Sequence, residues 1–194
     1  DIKVDKEGKP KDTCRSQYNM YNIVKSTICE GIYDDLDVEN CHPSLLVQIF
    51  NSKGYRTKHL TNFINDRDTI FHEFKKVGID RAKCKELFMA VFYGGKIDTW
   101  KRKNNVTVIP DIFYKLEKET VKHRDKLLLE DDMMKYVIEA QNKKGENGFN
   151  INASALSYYI QTEECKVLLC MFQWCRNNKY NVGALIHDVL HIQK

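Results

Sequence analysis

Three groups of residues could do chemistry. The first is Asp35-Leu36-Asp37, followed by Asn40-Cys41-His42-Pro43. Two carboxylates at the end of a strand that turns into a helix gather hard oxygen donors at a chain reversal. Mg²⁺ suits such a place, because it takes one or two carboxylates and fills its octahedron with waters and phosphates. The plainer reading is a solvated acidic strand end, and these residues by themselves do not choose between Asp35 and Asp37. The second group is Arg81, Lys85, Met89 and Tyr93, followed by Gly94. A step of four residues turns a helix by about 400°, so the four side chains drift by about 40° per step and form one stripe. Two cations and then an aromatic ring would meet phosphates and then a base. The alternative is an amphipathic helix with a basic exposed edge. The third group is His187-Asp188 inside Leu185-Ile186-His187-Asp188-Val189-Leu190. An acid at the tip of an apolar hairpin is costly unless it faces water or a cation. Aspartate is also an ordinary turn residue.

These residues need a scaffold. Residues 31–38 alternate enough to predict a strand, and Pro43 is expected at the first position of a short helix that ends before Gly54. Residues 57–77 suggest two short helices burying Leu60, Phe63, Ile64, Ile70, Phe71 and Phe74. Asp80 is a natural N-cap for a helix through Phe92, stopped by Gly94-Gly95. Pro110 opens a charged helix through Leu129, and another follows to about Gln141. A polar loop covers 143–150, and 152–177 is the most apolar helix. Residues 180–192 read as two strands around a turn at His187-Asp188. The expected fold is α+β: mostly helix with a small antiparallel sheet. No internal repeat is present. Residues 1–12 read as a solvated linker, and 13–30 give no clear pattern.

Composition sets outer limits. The chain has 194 residues, 42% hydrophobic and 30% charged, with three prolines and nine glycines. That supports a packed core of one domain or two small lobes. The net charge of +4 hints only weakly at a polyanionic partner. No run of 18 apolar residues and no signal peptide are visible, so an intracellular, non-membrane protein is expected. The seven cysteines include no C-x-x-C pair. Cys165, Cys170 and Cys175 are five apart, so a helix points them in different directions. Buried reduced thiols are the expected state for the set. Trp100, Trp174, Tyr158 and Tyr159 are expected mostly in the core. Starting at Asp1 with a charged stretch, the chain reads as a piece of a longer one.

Taken in order and spacing, the three groups resemble family A polymerases, and more closely the transposon–virus polymerase branch of virophages and mobile elements. Asp35 to Leu46 is similar to that branch's first palm motif. Arg81 to Gly94 has the R-x3-K-x7-Y-G spacing of the family's fingers helix, and Met89 is similar to single-subunit bacteriophage RNA polymerases. His187-Asp188 resembles the third motif, and Gln161 stands where relatives carry a glutamine near the primer–template. The resemblance covers about residues 31–192, and Arg15 is a candidate template contact outside it. It implies a palm with a catalytic hairpin and mostly helical fingers, divided as 31–56 palm, 57–150 fingers and 151–194 palm, with 1–30 flanking.

The implied activity is template-directed nucleotidyl transfer, DNA polymerisation first. Asp37, favoured over Asp35 by its distance from His42, and Asp188 would hold two Mg²⁺ ions (or Mn²⁺) about 3.5–4 Å apart. Asp34 and Asp35 would then be solvated. Arg81 and Lys85 would grip the triphosphate, with Lys85 protonating the leaving pyrophosphate. Tyr93 would stack near the nucleotide and sense its sugar, and His42 stands where DNA polymerases of the family place the glutamate that blocks a 2′-hydroxyl. His187, Gly94 and Gln161 would face the primer–template. Partners implied are primer–template, nucleoside triphosphates and a helicase or primase domain in a longer chain. Gly95, and Val189 where many DNA polymerases have glutamate, depart from the best-known members, and no thumb or proofreading nuclease is visible. An RNA-synthesising enzyme or primase, and a non-catalytic nucleic-acid-binding module, are the alternatives.

Overall fold

The computed structural model describes residues 30–145, 148–186 and 189–194. The linker read at 1–12, the unassigned stretch before residue 30 and Arg15 lie outside them. The elements run β1 (Tyr33–Asp37), α1 (Cys41–Ser52), α2 (Lys58–Asn65), α3 (Arg67–Lys76), α4 (Arg81–Phe92), α5 (Ile97–Asn104) and α6 (Asp111–Leu127). A 3₁₀ turn (Asp131–Met133), α7 (Met134–Lys144), α8 (Ile151–Asn177), β2 (Val182–Ile186) and β3 (Val189–Gln193) complete the order. The chain is mostly helical with a small antiparallel sheet, as its patterning predicts. It divides into two units. One is the helical stretch Glu39–Val167; the other is the described part of Asp1–Val38 with Leu168–Lys194.

The helical unit is built around aromatic side chains. Phe50, Phe63, Phe74, Phe92 and Phe113 are fully buried together with Leu46, Leu87 and Leu116. Each such ring contributes roughly 1.5–3 kcal/mol by leaving water. Phe63 stacks on Phe88 with centroids 3.9 Å apart, and Phe113 meets both Phe63 and Phe74 edge-on. In α4 the buried residues are Cys84, Leu87, Phe88, Val91 and Phe92. Their three-and-four spacing is one helical face. Burial holds the Cys84 thiol up at about 12, so it stays protonated.

Helix ends are satisfied from within the unit. Asp80 caps α4 by accepting from the Lys83 N–H at 2.8 Å. The Glu119 carboxylate of α6 accepts from the His59 and Leu60 N–H groups at 3.0 and 2.8 Å, closing the start of α2 with a neighbouring helix. Thr120, fully buried in α6, donates to the carbonyls of Leu116 and Val91.

The second unit holds a three-stranded sheet in the order β1-β3-β2, with both neighbours antiparallel. Asp35 lies opposite His191 and Asp37 opposite Val189. A register irregularity between Val182 and Ala184 surrounds Gly183. A Cβ on Gly183 would run into the Tyr33 ring, so glycine lets that ring cover the sheet there.

Several expectations need correction. The first helix starts at Cys41, two residues before Pro43. Proline is tolerated there because first-turn N–H groups lack helical partners anyway. The helix expected to run to Leu129 ends at Leu127, and α7 continues past Gln141 to Lys144. Helix α5 was not anticipated; Ile97 and Trp100, three apart, are its buried face. Ile64 is only partly buried. Cys165 and Cys170 are exposed, whereas Cys41, Cys84 and Cys175 are buried. Trp174 is exposed and stacks on Tyr180 instead of entering a core. Among the described residues no helix is long and apolar enough to cross a membrane.

Candidate functional site

Helix α4 separates its two faces cleanly. With the phenylalanines turned inward, Arg81, Lys85 and Met89 emerge on an exposed edge. At 1.5 Å per residue the stripe runs about 18 Å from Arg81 to Tyr93. Arg81 lies over the Phe71 ring at 4.6 Å and 3.3 Å from Asp68, an exposed pair that contributes little to stability. Among the described residues no carboxylate pairs with Lys85.

At the end of the stripe Tyr93 turns inward and meets His42. The Tyr93 hydroxyl and His42 Nδ1 are 2.7 Å apart, although 51 residues separate them in the chain. On the other side of the imidazole, Nε2 lies 2.8 Å from Glu164 Oε1, without the alignment of a hydrogen bond. A carboxylate on that side favours the proton on Nε2. Nδ1 is then the acceptor, and the Tyr93 hydroxyl donates to it. Tyr93, His42 and Glu164 thus form one polar chain that joins the end of α4, α1 and α8. Nearby on α8, Gln161 Nε2 donates to Ser157 Oγ at 3.1 Å. Burial, with a smaller push from Glu164, holds the Tyr93 phenol up at about 12. Tyr93 therefore keeps its proton at neutral pH and remains a donor.

The backbone after Tyr93 is held by a residue the sequence reading missed. Arg124 of α6 is buried, and its Nη1 donates to the carbonyls of Tyr93 and Gly94 at 3.2 and 3.4 Å. Its other nitrogens bind Asp125. A cation at a helix C-terminus, where carbonyls lack partners, is favourable. Gly94 has φ +80°, and a Cβ there would run into the guanidinium. Glycine is thus required twice over, by conformation and by the approach of Arg124.

In the sheet unit, Asp37 ends β1, is exposed, and among the described residues has no cation paired with it. Asp35 is exposed, with its carboxylate 3.3 Å from Nε2 of the buried His191, and Asp34 is 3.4 Å from Lys194. Strand β3 begins at Val189, directly across from Asp37. His187 and Asp188, which precede Val189 in sequence, lie outside the described residues. Among those residues no group of three or more His, Cys, Asp and Glu side chains gathers as a metal centre would. Comparisons with protein-family models, curated proteins and solved structures return no match.

Of the residues singled out by sequence, the structure joins His42 and Tyr93 and aligns Arg81 and Lys85 on the helix leading to them; Gln161 is bonded to Ser157 and not to that pair. Ser157 and Glu164 flank Gln161 on α8. They fall four before and three after Gln161 on α8, a spacing that marks one helical face.

Proposed function

We propose that the chain is the fingers and palm part of a template-directed nucleotide polymerase that joins a deoxynucleoside triphosphate to a primer 3′-hydroxyl. The observation that carries this reading is the His42–Tyr93 hydrogen bond. Two residues to which the resemblance gives adjoining roles, one in blocking a 2′-hydroxyl and one in sensing the sugar, meet across 51 positions.

In this reading the primer 3′-oxygen attacks the α-phosphorus, and the bond to the β-phosphate oxygen breaks in line. Arg81 and Lys85 hold the β- and γ-phosphates, and Lys85 delivers a proton to the departing pyrophosphate. Their long exposed side chains fit that task, since they are not engaged in a core. Tyr93 offers its ring to the nucleotide while its hydroxyl fixes the orientation of His42. The imidazole then fills the space beside the sugar C2′ and disfavours a hydroxyl there. Glu164 holds the tautomer of this pair from the other side of the imidazole. Asp37, solvent-facing and with no cation paired to it among the described residues, would hold Mg²⁺ or Mn²⁺ together with Asp188, and the ions would lower the pKa of the 3′-hydroxyl and neutralise the triphosphate. Gln161 and His187 are assigned to the primer–template side.

The test is incorporation on a primer–template with a single templating base, at enzyme in excess over primer. The complementary dNTP should be added in the presence of Mg²⁺ and not in EDTA, and changing the templating base should change which dNTP is used. Addition that ignores the templating base would reject the reading.

A further inference from the structure

A second surface of the helical unit has features that the nucleotide reading does not use. Between the segment after α1 and the outer face of α6 lies an open groove of about 550 Å³. Arg56, Lys115, Lys118, Lys122 and Lys126 line it. The four lysines fall at intervals of three and four, so α6 presents them as one row. Each four-residue step advances about 6 Å along the helix, comparable with the step between phosphates of an extended strand.

Two observations set this row apart from an ordinary solvated face. First, the groove's carboxylate is already committed. Glu119 lines it, but both of its oxygens accept from the N–H groups that start α2. Lys115 has Asp111 at 3.4 Å, whereas among the described residues Arg56, Lys118 and Lys122 have no acidic partner. Second, the groove has an aromatic side. Tyr55 and His123 stack at 5.2 Å with planes 13° apart, and Lys126 reaches over the Tyr55 ring at 5.7 Å. His123 is buried, and its Nε2 bonds to the Arg56 carbonyl, which fixes the strand of backbone carrying that arginine. A row of cations beside the partly exposed Tyr55 ring, which Lys126 can uncover by moving aside, matches a nucleic-acid strand, whose phosphates and base faces alternate. An acidic peptide would use the cations but lacks the regular alternation of phosphate and base.

We propose that this groove binds the backbone of a single-stranded nucleic acid, separately from the nucleotide site. The binding needs no metal and no contribution from Asp37 or Asp188, so it stands or falls apart from the polymerase reading.

The experiment is fluorescence anisotropy of a labelled single-stranded oligothymidylate with the whole chain, in EDTA, across a salt series. Lys118→Glu/Lys122→Glu should weaken binding at least tenfold. It should also flatten the dependence of log affinity on log salt by about 1.4, the value for two lost phosphate contacts on a single strand. Lys75→Glu/Lys76→Glu, an equal charge change at the end of α3, should stay within about twofold of wild type. Far-UV circular dichroism should be unchanged in both, since all four lysines are exposed. Equal weakening by the two double variants would overturn the proposal, because net charge would then explain binding. So would unchanged binding by the α6 variant, or competition by polyglutamate as effective as by unlabelled strand.

Discussion

Asp37→Ala should reduce single-turnover nucleotide incorporation by at least roughly 10³-fold while leaving the fold intact. The expected loss corresponds to about 4 kcal/mol of transition-state stabilisation. The reasoning starts from the environment of the carboxylate. Asp37 is exposed at the last position of β1, opposite Val189, and no described cation is paired with it. Removing it therefore breaks no ion pair and opens no cavity, and stability should change by less than about 0.5 kcal/mol. Any large loss of activity is then chemical and not structural. Asp35→Ala is the internal control. That carboxylate sits beside the buried His191, so its removal should affect the sheet more than the chemistry. Asp188→Ala is expected to match Asp37→Ala, and the double variant to be little worse than either, because two ligands of one metal pair act as a unit. If Asp35→Ala proves the more damaging to incorporation, the metal assignment moves to Asp35.

Gly94→Ala should destabilise the helical unit by roughly 3 kcal/mol, far more than the same change at Gly54 or Gly78. All three glycines have φ between 76 and 80°, so each pays about 1 kcal/mol for placing alanine in the left-handed region. At Gly54 and Gly78 an added Cβ meets nothing, and the cost should stop there. At Gly94 it collides with Arg124, which must leave the carbonyls of Tyr93 and Gly94. Those groups then lose their buried donor. Urea denaturation of the three variants separates the two contributions. Gly94→Ala combined with Arg124→Ala should be clearly non-additive, because both remove the same contact. A Gly94→Ala cost equal to that at Gly54 would show that Arg124 does not hold this turn.

What could be read in the sequence was whatever is set by neighbours in the chain. Asp80 with Arg81 to Phe92, and Gly94 after them, carry a cap, a periodic apolar face and a stop, and all three stand where local stereochemistry puts them. The strand at Tyr33–Asp37 and the hairpin strands follow from alternation in the same way. The first turn of α1 was misjudged because Pro43 marks a helix start only to within a turn. Helix α5 escaped because two buried residues among lysines make a weak pattern.

The candidate site divides along the same line. The exposed row Arg81, Lys85, Met89 is a property of one helix, and spacing reveals it, whereas Tyr93 stands just past the helix end and turns inward. That Tyr93 meets His42, and His42 meets Glu164, is a property of three helices packed together, and no local signal encodes it. Arg124 illustrates the limit most clearly. In sequence it is one more cation in a charged helix, HRDK within Asp111–Leu127. Only the packing of α6 beside the end of α4 turns it into the donor for two carbonyls and the reason Gly94 carries no side chain.

The sugar preference of a His42→Gly variant is the most direct measure of the central claim, that His42 and Tyr93 form the sugar-sensing end of a nucleotide site. Wild-type protein should incorporate the complementary dNTP in preference to the rNTP. His42→Gly should raise relative rNTP use by tenfold or more, about 1.4 kcal/mol of lost discrimination. Tyr93→Phe, which frees the imidazole from its hydroxyl partner, should move the ratio in the same direction by less. An unchanged dNTP-to-rNTP ratio in His42→Gly, with incorporation still measurable, would contradict the account.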